Sequence, residues 1–94
     1  ERWVYVAYRA NEAVGLLDAR LSAPEPGVVT IVHVAVARAH RGRGLGRALV
    51  EALARDVADG RGDRLRACVL GDSSQGFWGG LDFERVGEAY LRQI

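Results

Sequence analysis
The chain has 94 residues, 49% of them apolar and 27% charged, and a net charge of +1. That size supports one domain, residues 1–94, which buries about 60–65% of the surface its unfolded chain would expose. The near-neutral charge excludes a general nucleic-acid surface, and no apolar run approaches the ~20 residues that a bilayer span needs.

Two strand-like runs open the chain, Arg2–Tyr8 (RWVYVAY) and Ala13–Leu21 (AVGLLDARL), separated by Ala10-Asn11-Glu12, which reads as a β-hairpin. Trp3, Tyr5 and Ala7 alternate with Val4, Val6 and Tyr8, so both faces of the first strand are apolar and both are expected to be covered. Ser22–Gly27 holds both prolines and forms a loop into a third strand, Val28–Val36, completing an antiparallel meander. A helix is predicted from near Gly44 to around Gly60. Its buried stripe would be Leu45, Leu49, Ala52 and Leu53 with Ala48 and Val57, and Arg47, Glu51, Arg55 and Asp59 would form a solvated outer side.

Leu65–Leu70 follows the helix as a short apolar run, the natural parallel crossover partner of Val28–Val36. It carries the single cysteine, Cys68, which has no partner for an internal disulfide and reads as a buried thiol in a reducing, cytoplasmic setting. A short helix is expected around Ser74–Trp78, and one or two further strands in Phe83–Ile94.

The junction between the third strand and the helix carries the chemistry. A glycine-rich basic turn that opens a helix aims backbone N–H groups and the positive end of the helix dipole at one point, which suits a phosphate or pyrophosphate. A nucleotide P-loop needs a lysine, and the chain has none. A dinucleotide fingerprint needs a third glycine where Arg47 stands. The pattern that fits is [R/Q]-x-x-G-x-[G/A], present as Arg41-Gly42-Arg43-Gly44-Leu45-Gly46.

With VAVARAHRGRGLGRALVEAL around that motif and a second match at SSQGFWGGLDF, the chain resembles the GCN5-related N-acetyltransferase (GNAT) superfamily. The resemblance implies an α/β (α+β) acyl-CoA N-acyltransferase-like fold, a mixed, mostly antiparallel sheet with a central amphipathic helix. It implies acetyl-CoA as co-substrate and a small-molecule or peptide amine as acceptor, with no metal, membrane or nucleic acid involved. The pyrophosphate would rest on the amides of Arg41, Gly42, Arg43, Gly44, Leu45, Gly46 and Arg47, with the three glycines allowing close approach. Arg47 is also the candidate partner of the ribose 3′-phosphate. Val28–Val36 would splay from Leu65–Leu70 to admit the pantetheine arm against Ala35, Val36, Ser73 and Ser74. The Val34 N–H would stabilise the oxyanion of the tetrahedral intermediate.

The chain departs from the family pattern in three places. Where relatives carry a tyrosine acid, Trp78 stands, and an indole N–H is no usable acid near neutral pH; Asp82 replaces a customary glycine. At positions where relatives place a base, Thr30 and Val32 stand, so Thr30 and Trp78 are catalytic candidates by position only. Strict alternation turns His33 to the opposite face, where it reads as packed or hydrogen-bonded, and His40 reads as exposed. Asp72, Glu84 and Tyr90 are left by elimination. Finally, a strand and two helices that cover the acceptor side in typical members have no counterpart before Glu1, and the sequence contains no Met. Further chain upstream, or a second subunit in a homodimer, is expected to supply that wall. The reaction read from all this is transfer of acetyl from acetyl-CoA to a primary amine by direct attack. The alternative is a catalytically impaired acyl-CoA-binding or interaction module.

Overall fold
The computed structural model describes residues 1–21, 25–60, 62–68 and 75–94. Six strands form one sheet in the order β1-β2-β3-β4-β6-β5. The strands are β1 (Arg2–Arg9), β2 (Glu12–Leu21), β3 (Val28–Val36), β4 (Arg64–Cys68), β5 (Glu84–Val86) and β6 (Ala89–Gln93). All neighbouring pairs are antiparallel except β3–β4, which is parallel and joined through helix α1 (Leu45–Ala58). A second helix, α2 (Gln75–Gly79), precedes β5. The meander, the crossover and both helices thus fall where the residue pattern puts them, and the tail forms two strands. Residues 69 and 70 of the fourth run lie outside the described residues, as does Ser74.

The hairpin turns on Ala10 and Asn11, both at positive φ (50° and 68°). Two such residues make the turn whose twist matches the flanking strands, at a steric cost for alanine that glycine would not incur. Asp82 also sits at positive φ (66°), which explains why a glycine suits that position.

One face of the sheet is dry. α1 buries Leu49, Val50, Leu53, Ala54 and Val57 against Leu17, Ala19, Val29, Ile31, Leu65 and Ala67, and Trp78, Leu81, Phe83 and Tyr90 extend the cluster. The helical stripe therefore differs from the expected one. Val50 and Ala54 belong to it, whereas Ala48 is exposed and Leu45 and Ala52 are only half-buried. The stripe is set by where the helix axis lies over the twisted sheet, and that shifts it by one residue around the helix.

The other face is open. Trp3, Tyr5 and Ala7 pack against the core, but Val4, Val6 and Tyr8 are 50%, 41% and 66% exposed. The expectation that both faces of β1 are covered fails, because both helices lie on the same side of the sheet as the core. Leu16 and Val32 are also exposed. On the outer side of α1, Arg47, Arg55 and Asp59 are exposed as expected and Glu51 is half-buried. Glu51 pairs with Arg92 of β6, Arg47 donates to the Gly80 carbonyl at 2.7 Å, and Tyr5 donates to Asp56. Burial pushes the Tyr5 phenol well above its ordinary value, with Asp56 adding to the effect.

Candidate active site
β3 and β4 pair only from Val28↔Arg64 to Ile31↔Ala67. On its other side, β3 stays paired with β2 as far as Val36. Among the described residues the outer edge of Val32–Val36 therefore has no strand beside it. Its backbone polar groups need another partner in a dry environment. A cavity of about 460 Å³ opens at this edge, walled by Val34, Ala35 and Val36, by the loop and first turn of α1, and by Phe77 and Trp78 of α2.

The loop is built to leave amides free. A 3₁₀ turn (Arg38–His40) is followed by Gly42 and Gly44 at φ 76° and 81°, a conformation that favours glycine. Gly44 caps α1 without any side-chain bond to the helix. The first bond along the helix is Ala48 N–H to the Gly44 carbonyl at 2.9 Å, so the amides of Leu45, Gly46 and Arg47 lack intrahelical acceptors. Leu45, Gly46 and Arg47 all line the cavity, as do Arg41, Gly42 and Gly44. A methyl group added to Gly42 or Gly44 would meet no atom within 4 Å. Gly46 is small for a different reason, since a Cβ there would lie 2.8 Å from Phe77 Cε1. It lets α2 pack on α1.

The arginines divide by what already holds them. Arg41 Nε donates to the Val36 carbonyl at 2.9 Å, strapping the loop onto the end of β3. Arg47 is tied to Gly80 and bridges the two helices at the cavity rim. Arg43 lies outside the cavity wall. His40, read from sequence as exposed, is half-buried at the wall, and its Nδ1 is sealed from solvent without a hydrogen-bond partner.

The other candidates are scattered. Trp78 lines the cavity but is 5% exposed and wedged edge-on between Phe77 and Phe83, at centroid distances of 4.8 and 4.9 Å. Tyr90 is buried behind it, stacked at 6.3 Å and away from the cavity wall, and Glu84 is exposed on β5. Ser73, Ser74 and Asp72 lie outside the described residues. Thr30 is on the open face of the sheet, opposite Arg20 and Arg66.

His33 requires a correction. The pairing runs Arg20↔Thr30, Ala19↔Ile31 and then Asp18↔His33, which leaves Val32 as an extra residue, a β-bulge. Arg20 and Asp18 are two apart on β2 and share a face, so Thr30 and His33 share it too, although they are three apart. The burial pattern agrees: Val32 and His33 are both exposed, and Val34 returns to the helix side. His33 is thus on the open face, not packed on the other one.

A mixed sheet whose one parallel pair parts, with a glycine-rich helix start lining the cavity at the gap, defines an α/β protein with a cleft between strand and helix. The chain belongs to the GNAT acetyltransferase family, whose model matches residues 1–83. An acetyltransferase from Thermus thermophilus is 31% identical and superposes with a TM-score of 0.86 over 99% of this chain and 64% of its own. A GNAT-family protein from Desulfovibrio desulfuricans gives a TM-score of 0.90 at 19% identity, over 98% of this chain and 69% of its own. N-acetylglutamate synthase from Neisseria gonorrhoeae, solved with coenzyme A and N-acetylglutamate, gives 0.83 at 14% identity, over 97% and 25%. The chain thus spans just under two thirds of the Thermus protein. No curated protein matches it.

Proposed function
We propose that this chain is the cofactor-binding core of an acetyl-CoA-dependent N-acetyltransferase, which moves the acetyl group to a primary amine by direct attack. The observation that carries the reading is the start of α1, where the N-cap Gly44 has no side chain to take up the first amides. Three amides without intrahelical acceptors and two left-handed glycines line a cavity beside the stretch of β3 that has no described strand next to it. The chemistry of the donors fits a diphosphate. Amides in sequence at a helix N-terminus, with Arg41 fixed alongside, supply hydrogen bonds and a positive field without desolvating a lysine. The edge at Val34–Val36, beside which no described strand lies and where Arg41 takes only the Val36 carbonyl, suits the amide groups of a pantetheine arm, which can hydrogen-bond there as a strand would. The Val34 amide would donate to the carbonyl oxygen as charge develops on it. Holding the amine and thioester together lowers the barrier even before any acid or base acts.

Trp78 favours a second reading, an acyl-CoA-binding module without turnover, because a buried indole among Phe77, Phe83 and Tyr90 offers no proton to a leaving thiolate. Calorimetry with acetyl-CoA, followed by thiol release with a panel of amines, separates the two. Binding with amine-dependent release supports the enzyme; binding without it leaves the module. Gly44→Asp places a carboxylate and a strained φ where the diphosphate would sit, and it should lower acetyl-CoA affinity at least 100-fold (about 2.7 kcal/mol). Unchanged affinity would overturn the role of the loop.

A further inference from the structure
One polar atom on the cavity wall has nothing to bond to. His40 Nδ1 is sealed from solvent and has no hydrogen-bond partner among the described residues. Leaving such an atom unpaired costs the folded protein free energy that packing does not return. The backbone around it is nonetheless fixed on both sides. The Ala37 N–H donates to the Val14 carbonyl of β2 at 2.7 Å, and the His40 N–H to the Ala37 carbonyl at 2.8 Å. Beyond it, Arg41 Nε donates to the Val36 carbonyl of β3 at 2.9 Å. A turn strapped to two strands thus carries the ring, and the residue as a whole is half-buried on the wall it shares with Gly42 and Gly44. The charged groups on that wall are Arg41 and Arg47; β3 and α2 add apolar side chains only, and no acidic residue lines it among the described ones. Arg38, on the same turn as His40, and Arg43 lie outside it. Such a wall gives a charged imidazole no counter-charge, and an anion in the cavity supplies one.

We infer that His40 is a proton-linked ligand of the cofactor's diphosphate, its ring donating a charge-assisted hydrogen bond to a phosphate oxygen. This rests on the acetyl-CoA reading above and adds to it a binding residue and a pH dependence of cofactor affinity. The sealed position of Nδ1 does not bar the contact. A half-turn about Cβ–Cγ, a soft torsion, exchanges Nδ1 with Cδ2 and moves the nitrogen while the strapped backbone stays in place. In the protonated ring both nitrogens are donors. A diphosphate beside the ring favours that form, so binding draws one proton from solvent onto the imidazole and release returns it. Hydrogen bonds between charged partners are roughly twice as strong as neutral ones, so the neutral ring holds the anion less firmly. Acetyl-CoA is accordingly bound more tightly as pH falls through the histidine range. The nitrogen that gains a partner in the complex burdens the free protein, and its removal should affect the two states with opposite sign.

The test is calorimetry of the intact protein with acetyl-CoA, for affinity at pH 6 and pH 8.5, and for proton uptake at pH 7 in buffers of different ionisation enthalpy. His40→Phe keeps the ring's bulk and removes both nitrogens. It should lower acetyl-CoA affinity about tenfold at pH 6 (about 1.4 kcal/mol) and by less than about threefold at pH 8.5. It should also take up fewer protons than wild type, a comparison that cancels protons exchanged by the cofactor's own terminal phosphate. His40→Gln keeps a donor and cannot take a charge, so it should fall between the two at pH 6 and share the lower proton uptake. Without cofactor, the melting temperature of His40→Phe should match or exceed that of wild type. Wild-type affinity in His40→Phe at both pH values overturns the assignment and leaves binding by the loop amides standing. An equal loss at both pH values with unchanged proton uptake overturns it in favour of contact with a neutral part of the cofactor. A lowered melting temperature together with lost affinity overturns it in favour of a packing role. A wild type that does not bind acetyl-CoA at either pH overturns the cofactor reading and the role of His40 together.

Discussion

The two faces of this sheet begin from nearly the same residues and end as different materials. On β1, Trp3, Tyr5 and Ala7 meet α1 and join the core, while Val4, Val6 and Tyr8 on the same strand stay exposed. Apolar character alone does not make a core; an element must lie on it. The helix face holds the dry cluster and, at its end, the cavity. The open face carries Thr30, His33 and the Arg2–Asp18 pair among half-exposed valines. The bulge at Val32 is the point where one strand serves both, presenting His33 outward and Val34 inward.

Breaking the helix face should cost most. Leu53 is fully buried, and Leu53→Ala should destabilise by about 2–5 kcal/mol. The matched change on the open face, Val6→Thr, should cost under about 0.5 kcal/mol. Denaturant unfolding of both variants measures the contrast directly, and equal losses would show that the open face is buried in solution. Gly46→Ala is next. Its methyl would lie 2.8 Å from Phe77, and pushing α2 away from α1 should cost about 1–3 kcal/mol and loosen the cavity wall. A combined Phe77→Leu change should recover part of that loss in thermal unfolding, because it removes the ring the methyl meets.

The charges that tie α1 to the sheet give a pH-dependent form of the comparison. Arg92 holds the Glu51 carboxyl below its ordinary value. A lowered carboxylate contributes stability that is fully present above the ordinary carboxylate range and is lost as pH falls through the lowered value. With Glu51 40% exposed, solvent screening limits the contribution to under about 1 kcal/mol. The melting temperatures of wild type and Glu51→Gln should therefore differ at pH 7 and converge towards pH 3. The smallest effect belongs to the hairpin. Ala10→Gly relieves a positive φ and should stabilise by up to about 1 kcal/mol, read as a rise in melting temperature.

Most of the architecture was legible in the residues because it is governed by local rules. The period of the apolar positions separates strands from helix, Gly42 and Gly44 announce left-handed backbone, and the run from Val34 to Leu53 sets a strand, a turn and a helix in line. The cavity wall at Arg41, Gly42, Gly44, Leu45, Gly46 and Arg47 follows from that run. The remaining features depend on partners distant in sequence. Arg47 looked like a free cation until Gly80, 33 residues away, was found to accept from it. Gly46 looked like a phosphate glycine until Phe77 lay against it. His40 looked exposed until the loop folded over its Nδ1.

By itself, then, the sequence determined which residues form the strands and the long helix, and where a helix start would offer unbonded amides, because φ preferences and side-chain period act within a few residues. The tertiary structure alone decided which face of the sheet is dry, which arginines are committed and on which side His33 emerges. Those outcomes depend on strand register, and a single unpaired residue in one register reverses the direction of every side chain beyond it.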